Sequence, residues 1–131
     1  MATVTIYLKY DSGQLRYSLD DRSFSPIDIY TQVNANSGDL VIWTKSSSDT
    51  ALTKIKIKNL SKKDGERLSK GKWKDTWKTK PTNVTKTECS GVPQDSGATK
   101  DDPSFFAYDI QYNIDGGSTQ TLDPTIKLPQ D

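Results

Sequence analysis

Few residues in this chain could perform chemistry, because its 131 positions include no histidine and only one cysteine, Cys89. Nucleophilic systems of the Ser-His-Asp and Cys-His types need an imidazole as base, so neither can form. Zinc sites built on histidine are excluded for the same reason. Nearby lysines could lower the pKa of Cys89 and make it a nucleophile, but a lone thiol without a base is more typical of a structural residue. The sequence therefore predicts no enzyme activity, no bound metal and no cofactor.

Neighbouring carboxylates occur at Asp20-Asp21 and at Asp101-Asp102. Glycoside hydrolysis needs two carboxyl groups on opposite sides of a cleft, whereas adjacent acids in a loop more often form turns or caps. Asp95 together with Asp101 and Asp102 offers oxygen ligands for calcium, but their spacing lacks the pattern of an EF-hand loop. We therefore predict no catalytic carboxylates.

Basic residues are concentrated in one part of the chain. Residues 54–86 contain twelve basic and three acidic residues, a net charge of +9, while the rest of the chain carries a net charge of −8. Two tryptophans lie within this basic segment. Ammonium groups beside aromatic rings suit a surface that binds an anionic or sugar-containing partner. The candidate binding residues are Lys54, Lys56, Lys58, Lys72, Trp73, Lys74, Trp77 and Lys78.

The charge asymmetry has several interpretations. Lysines could neutralise phosphates while tryptophans stack on bases, although lysine makes poor bidentate contacts. The basic face of one copy could meet the acidic remainder of another, giving head-to-tail rings or filaments. In a purely structural alternative, the lysines solvate an exposed sheet face and the tryptophans pack the segment onto the core. We predict a non-catalytic interaction or self-assembly module, whose partner is a second copy or another protein. The alternative is a lectin-like protein that binds carbohydrate or a polyanion.

The elements that position these residues are strands. Apolar and polar residues alternate with period two in 3–10, 53–58 and 105–114, and 40–43 is a continuous apolar run typical of a central strand. Turn residues separate these runs. The pattern predicts an all-β, antiparallel β-sandwich of about seven or eight strands, forming a single domain over 1–131. The predicted core consists of Val4, Ile6, Leu8, Val41, Trp43, Ile55, Ile57, Phe106, Tyr108, Ile110, Tyr112 and Ile126.

Residues 59–100 differ from the rest, since they are rich in Lys, Thr, Ser, Gly and Asp and have few apolar anchors. We predict that they form one long, Lys-rich polar excursion from the sandwich. Trp73 and Trp77 are four residues apart, which would place them on one face of a short helical turn. A loop of this length in a compact domain is usually functional or mobile.

Two blocks of the sequence resemble the cupredoxin-like β-sandwich family. GDLVIWTKSSSDTALTKIKIKN (38–59) is similar to the family's Gly-Asp-x-Val-x-Trp strand with its following loop and strand. FFAYDIQYNIDGGSTQTLDPTIKLP (105–129) is similar to the closing strands of uncharacterised bacterial members. The resemblance implies a Greek-key sandwich. Blue-copper sites use two imidazoles and a thiolate, usually with a methionine, but this chain has no histidine and its one methionine is Met1. The resemblance therefore implies a fold and not an activity.

The amino-terminal residues MATVTIYLKY have neither a basic start nor a continuous apolar stretch. We therefore expect no signal peptide and no membrane span. With a single cysteine, no disulfide can form within the chain. Both observations favour a cytoplasmic protein.

Overall fold

The computed structural model describes residues 2–28, 31–59, 72–74 and 77–129, and every regular element in these ranges is a β-strand. In this part of the chain, no helix is long and apolar enough to cross a membrane. The strands are β1 (Thr3–Asp11), β2 (Gln14–Ser18), β3 (Ser25–Pro26), β4 (Gln32–Asn34), β5 (Leu40–Lys45), β6 (Leu52–Asn59), β7 (Lys72–Lys74), β8 (Thr79–Thr85), β9 (Glu88–Val92), β10 (Ser104–Ile114), β11 (Gln120–Leu122) and β12 (Thr125–Leu128).

The first sheet has the strand order β3-β2-β1-β5-β9-β8. β1 and β2 form an antiparallel hairpin whose turn residues, Ser12 and Gly13, have positive φ angles of 53° and 78°. Two positive φ angles give a two-residue turn the twist that matches its flanking strands. β1 then pairs in parallel with β5, and β5 pairs antiparallel with β9.

The second sheet is organised around β10, which is eleven residues long. Its first part pairs with β12 on one side and with β7 on the other. Its second part pairs with β11 and, over Tyr108–Ile114, with β6. β4 extends the sheet beyond β12 by a parallel pairing. The all-β sandwich predicted from the alternating pattern is confirmed, but it is mixed, with three parallel pairings among the ten that the described strands make.

The core lies between the two sheets and is rich in aromatic rings. The ring centroid of Trp43 lies 5.2 Å from that of Tyr108 and 6.2 Å from that of Trp77, and Trp77 lies 5.1 Å from Phe106. Tilted and edge-on arrangements at these distances are favourable for aromatic pairs. Eleven of the twelve predicted core residues are buried, and Val4 is partly buried against the same cluster.

The prediction of one polar excursion over 59–100 is wrong for its second part. β8 and β9 form an antiparallel hairpin, and β9 lies beside β5 within the first sheet. Residues 72–74 are a strand, not part of a helical turn, while residues 60–71, 75 and 76 lie outside the described residues. The predicted number of strands is also too low, because strands of two or three residues are too short to show a period.

Candidate functional site

The exposed lysines of β6 are held in place by the isoleucines between them. Ile55 is fully buried and Ile57 is 3% exposed, while Lys54, Lys56 and Lys58 are all exposed. Successive side chains of a strand point to opposite faces, so a slip of one residue would bury three lysines and expose two isoleucines. The core therefore fixes which face carries the charge. We refer to Lys54, Lys56 and Lys58 together as the lysine face.

The neighbouring strand β10 places polar side chains beside the lysine face. Lys54 lies opposite Asn113, and Lys56 lies opposite Gln111, in the antiparallel register. Together with Thr119, these four residues line a depression of about 100 Å³. Its lining offers two lysine ammonium groups and the side-chain amide of Gln111 as hydrogen-bond donors suited to an anion.

The turn between β10 and β11 fixes the side of this depression that Asn113 and Thr119 form. The Asn113 side-chain amide donates a hydrogen bond of 2.7 Å to the carbonyl oxygen of Gly117 and one of 3.3 Å to Thr119 Oγ1. Asp115 and Gly116 both have positive φ angles, as a tight hairpin turn requires. The position of Asn113 next to Lys54 is therefore set by the turn as well as by the strand.

Within the described ranges, two of the three positive charges of the lysine face have no carboxylate partner. Among the residues that the structure describes, no carboxylate oxygen lies within 4.0 Å of the ammonium group of Lys54 or Lys56. Alternate residues on one face of a strand are about 6.7 Å apart. The three lysines thus form a row of charges with a regular spacing, and Asp109 lies opposite its last member, Lys58.

β6 is also anchored on the edge that faces away from β10. The amide of Ile55 donates a 2.8 Å hydrogen bond to the carbonyl oxygen of Lys86, and the side-chain amide of Asn83 donates one of 2.8 Å to the carbonyl oxygen of Ile55. The turn between β8 and β9 therefore contacts the lysine strand directly. Sequence reasoning missed this contact, because Asn83 and Lys86 lie in the segment predicted to be an excursion.

The remaining predicted site residues do not join the lysine face. Trp77 is 5% exposed and belongs to the core, so its prediction as a surface residue is wrong. Its ring packs between Trp43 and Phe106, which removes it from any platform for sugars or bases. Lys78 is exposed, but it directly follows this buried tryptophan in the chain and is not part of β6.

Strand β7 carries the other candidates on a different part of the sheet. It pairs with Ser104–Phe106 of β10, whereas β6 pairs with Tyr108–Ile114. The ammonium group of Lys74 lies 3.6 Å from a carboxylate oxygen of Asp95, so its charge has a partner. The side chains of Lys72 and Trp73 lie outside the described residues.

Cys89 and the paired acids have structural environments. Cys89 is fully buried, its thiol donates to the carbonyl oxygen of Ile55 at 3.6 Å, and burial raises its pKa, which disfavours the nucleophilic thiolate. Asp20 accepts hydrogen bonds from the backbone of its own loop, and Asp21, with a φ angle of 60°, accepts from Ser46 and Ser47. Asp20 therefore caps its own turn, as predicted for an adjacent loop acid, whereas Asp21 links two loops. In the described ranges, no three His, Cys, Asp or Glu side chains are grouped closely enough to hold a metal ion.

Comparisons with known proteins leave the function to be argued from the geometry of the chain. No protein-family model matches the sequence, and no curated protein matches it either. The lysine face is therefore the feature from which a function can be inferred.

Proposed function

We propose that this protein is a non-catalytic interaction module that binds an anionic partner through the lysine face. The observation that carries the proposal is the regular row of exposed lysines on β6, whose charges have the amides of β10 beside them. Two like charges about 6.7 Å apart in water repel each other by about 0.6 kcal/mol. A bound anion would relieve this repulsion and accept hydrogen bonds from the ammonium groups and from the side-chain amide of Gln111.

The geometry favours a linear anionic polymer over a compact ligand. The row follows one strand, so an extended chain with repeated anionic groups could contact all three lysines at once. Lysine acts as a point charge and provides no bidentate recognition, which suits binding by charge and spacing more than by sequence.

An acidic polysaccharide fits this surface better than a nucleic acid does. Binding of single-stranded nucleic acid usually adds stacking of bases on exposed aromatic rings. In the described part of the chain, the tryptophans whose burial is known, Trp43 and Trp77, are both in the core, and Tyr112 of β10 is 5% exposed. Charge on its own is the main attraction that the lysine face offers.

Self-assembly by contact of opposite charges has weaker support. Asp39 and Asp49 are 3% and 5% exposed, and their carboxylates accept hydrogen bonds from backbone amides. Asp95 faces Lys74, and Asp21 accepts from two serines. These four carboxylates are therefore engaged within the fold and are less available to a second copy.

The test is calorimetric titration of the protein with a heparin-derived oligosaccharide at several salt concentrations. Reversing two charges in Lys54→Glu/Lys56→Glu should weaken binding by tenfold or more, because two attractions become repulsions. The matched control is Lys80→Glu/Lys100→Glu, which changes the net charge equally at exposed positions outside β6. Equal losses in both variants would show non-specific attraction and contradict the proposal.

The same titration separates the alternatives. Tighter binding of a single-stranded oligothymidylate than of heparin would favour a nucleic-acid partner. Light scattering on the eluting protein at low and high salt tests self-assembly, since large species that dissociate with salt would indicate contacts between copies.

The relationship to cupredoxin-like proteins also remains a proposal. Its support is that the two resembling blocks fold as β5–β6 and as β10–β12, strands that meet in one sandwich. A binding role for the exposed face of β6 is compatible with such a fold, because fold does not determine function.

A further inference from the structure

A second depression lies in the other sheet, at the end of β2. Its volume is about 320 Å³, close to the lower end of the range for small-ligand sites. It is lined by Tyr17, Ser18, Leu19, Asp20, Ser23 and Ser25. None of these residues belongs to the lysine face.

One side of this depression is an exposed carboxylate with a fixed orientation. Asp20 Oδ1 accepts a hydrogen bond of 2.6 Å from the buried hydroxyl of Ser18, one of 2.9 Å from the amide of Arg22 and one of 3.0 Å from the amide of Ser23. Three donors on one oxygen prevent the carboxylate from rotating. The bond from Ser18, followed by those from Ser23 and Arg22, lowers the pKa of Asp20 to about 2, so it is ionised at ordinary pH.

The second oxygen of this carboxylate is free to accept. Within the described residues, no hydrogen bond to Asp20 Oδ2 is present. The hydroxyl groups of Ser23 and Ser25 provide further donors and acceptors, and both residues are exposed. The depression can therefore exchange hydrogen bonds in both directions with a ligand.

The remaining wall is apolar. Leu19 is 56% exposed, and it is one of two large hydrophobic residues that are exposed in the described part of the chain. Tyr17 is partly buried and packs against the core. An exposed leucine and a tyrosine beside a fixed carboxylate form a surface with one apolar and one hydrogen-bonding side.

We propose that this depression is a binding site for a neutral sugar or a similar polyol. A pyranose has an apolar ring face, which Leu19 and Tyr17 can cover, and hydroxyl groups that can donate to Asp20 Oδ2. An anion would be repelled by the carboxylate, and a purely apolar ligand would leave it desolvated, which is costly. This inference stands apart from the function proposed for the lysine face.

The test is a titration followed by protein NMR with the methyl glycosides of glucose, galactose and mannose at millimolar concentrations. We expect at least one of them to shift the Leu19 methyl resonances in a saturable way. Asp20→Asn should weaken this binding about tenfold, since a hydrogen bond to a charged group is lost. Asp11→Asn is the matched control, because it removes the same charge from an exposed strand end.

Two further variants distinguish sugar binding at this depression from heparin binding at the lysine face. Leu19→Ser changes an exposed side chain and leaves the hydrogen bonds of Asp20 in place. It should also weaken sugar binding. Lys54→Glu/Lys56→Glu should leave sugar binding unchanged even if it abolishes binding of heparin, so the two proposals can fail separately. No shift with any of the three glycosides would overturn the inference, and so would shifts produced by methylammonium but by none of the sugars.

Discussion

The charged loops and the lysine face use ionised side chains in opposite ways. In the loops, carboxylates accept hydrogen bonds from the backbone: Asp49 binds the amides of Tyr10, Ala51 and Leu52, and Asp39 binds those of Ala2 and Asn36. On β6, the ammonium groups extend into solvent, and their positions come from the buried residues between them. A charge count from sequence treats both groups alike, although the loop charges stabilise the fold and the strand charges remain available to a ligand.

The largest effect is expected at Trp77, which shares the basic segment with the lysines but lies in the core. Trp77→Ala should lower the free energy of unfolding by about 4 kcal/mol, because it leaves a cavity between Trp43 and Phe106. Trp77→Phe should cost much less, since the indole nitrogen has no hydrogen-bond partner in the described part of the chain. Urea denaturation measures both. A Trp77→Ala protein as stable as Lys78→Ala would place the ring at the surface and contradict this account.

The next prediction compares the loss of stability caused by removing a loop carboxylate with that caused by removing a lysine of the lysine face. Asp49→Ala should lower the free energy of unfolding by about 3 kcal/mol, because buried amides such as that of Leu52 lose a charged acceptor. Lys56→Ala, on the exposed face, should change it by less than about 0.5 kcal/mol. Chemical denaturation of the two variants gives the comparison. Similar losses for both would remove the distinction between the two regions.

A smaller effect on the free energy of unfolding is expected when the pH falls and Asp20, in an exposed loop, becomes protonated. Its pKa is about 2 in the folded protein against 3.8 as the ordinary value, so the folded state binds its proton more weakly than the unfolded state does. The stabilisation from Asp20 is therefore complete above the unfolded pKa and is lost as the pH falls from about 4 towards 2. The difference in unfolding free energy between wild type and Asp20→Asn should shrink over that interval. A difference that does not change with pH would mean that the Ser18 bond does not favour the ionised form.

The parts of the fold that the sequence predicted are those with a strong period. β1, β6 and the second half of β10 alternate apolar and polar residues, and their buried faces follow from that alternation, whereas the first half of β10 is buried on both faces. β9 was missed because its inward-facing residues are Cys89 and Gly91, which are small and give little hydrophobic signal. Gly91 packs closely on Pro81, where a β-carbon would lie 3.1 Å from the proline backbone.

The candidate site was predicted in part for the same reason. The lysines of β6 follow from alternation within one strand, so the sequence was sufficient to find them. Their neighbours Gln111 and Asn113 come from a strand more than fifty residues later, and only the register brings them close. The lysines around Trp77 in the sequence favour a surface position, and the alternative of a core position could not be chosen because the contact with Trp43 is long-range and leaves no local pattern.

The hydrogen bonds on both edges of β6 reduce the conformational entropy that its backbone would lose when a ligand binds. The strand is paired with β10 along one side and held by Asn83 and Lys86 on the other, so its backbone is already ordered before any ligand arrives. A partner would have to immobilise only the lysine side chains, at about 0.5–1.5 kcal/mol for each. The strand therefore fixes the spacing of the three lysine α-carbons at about 6.7 Å, and it should favour anionic polymers whose charged groups recur at a similar distance.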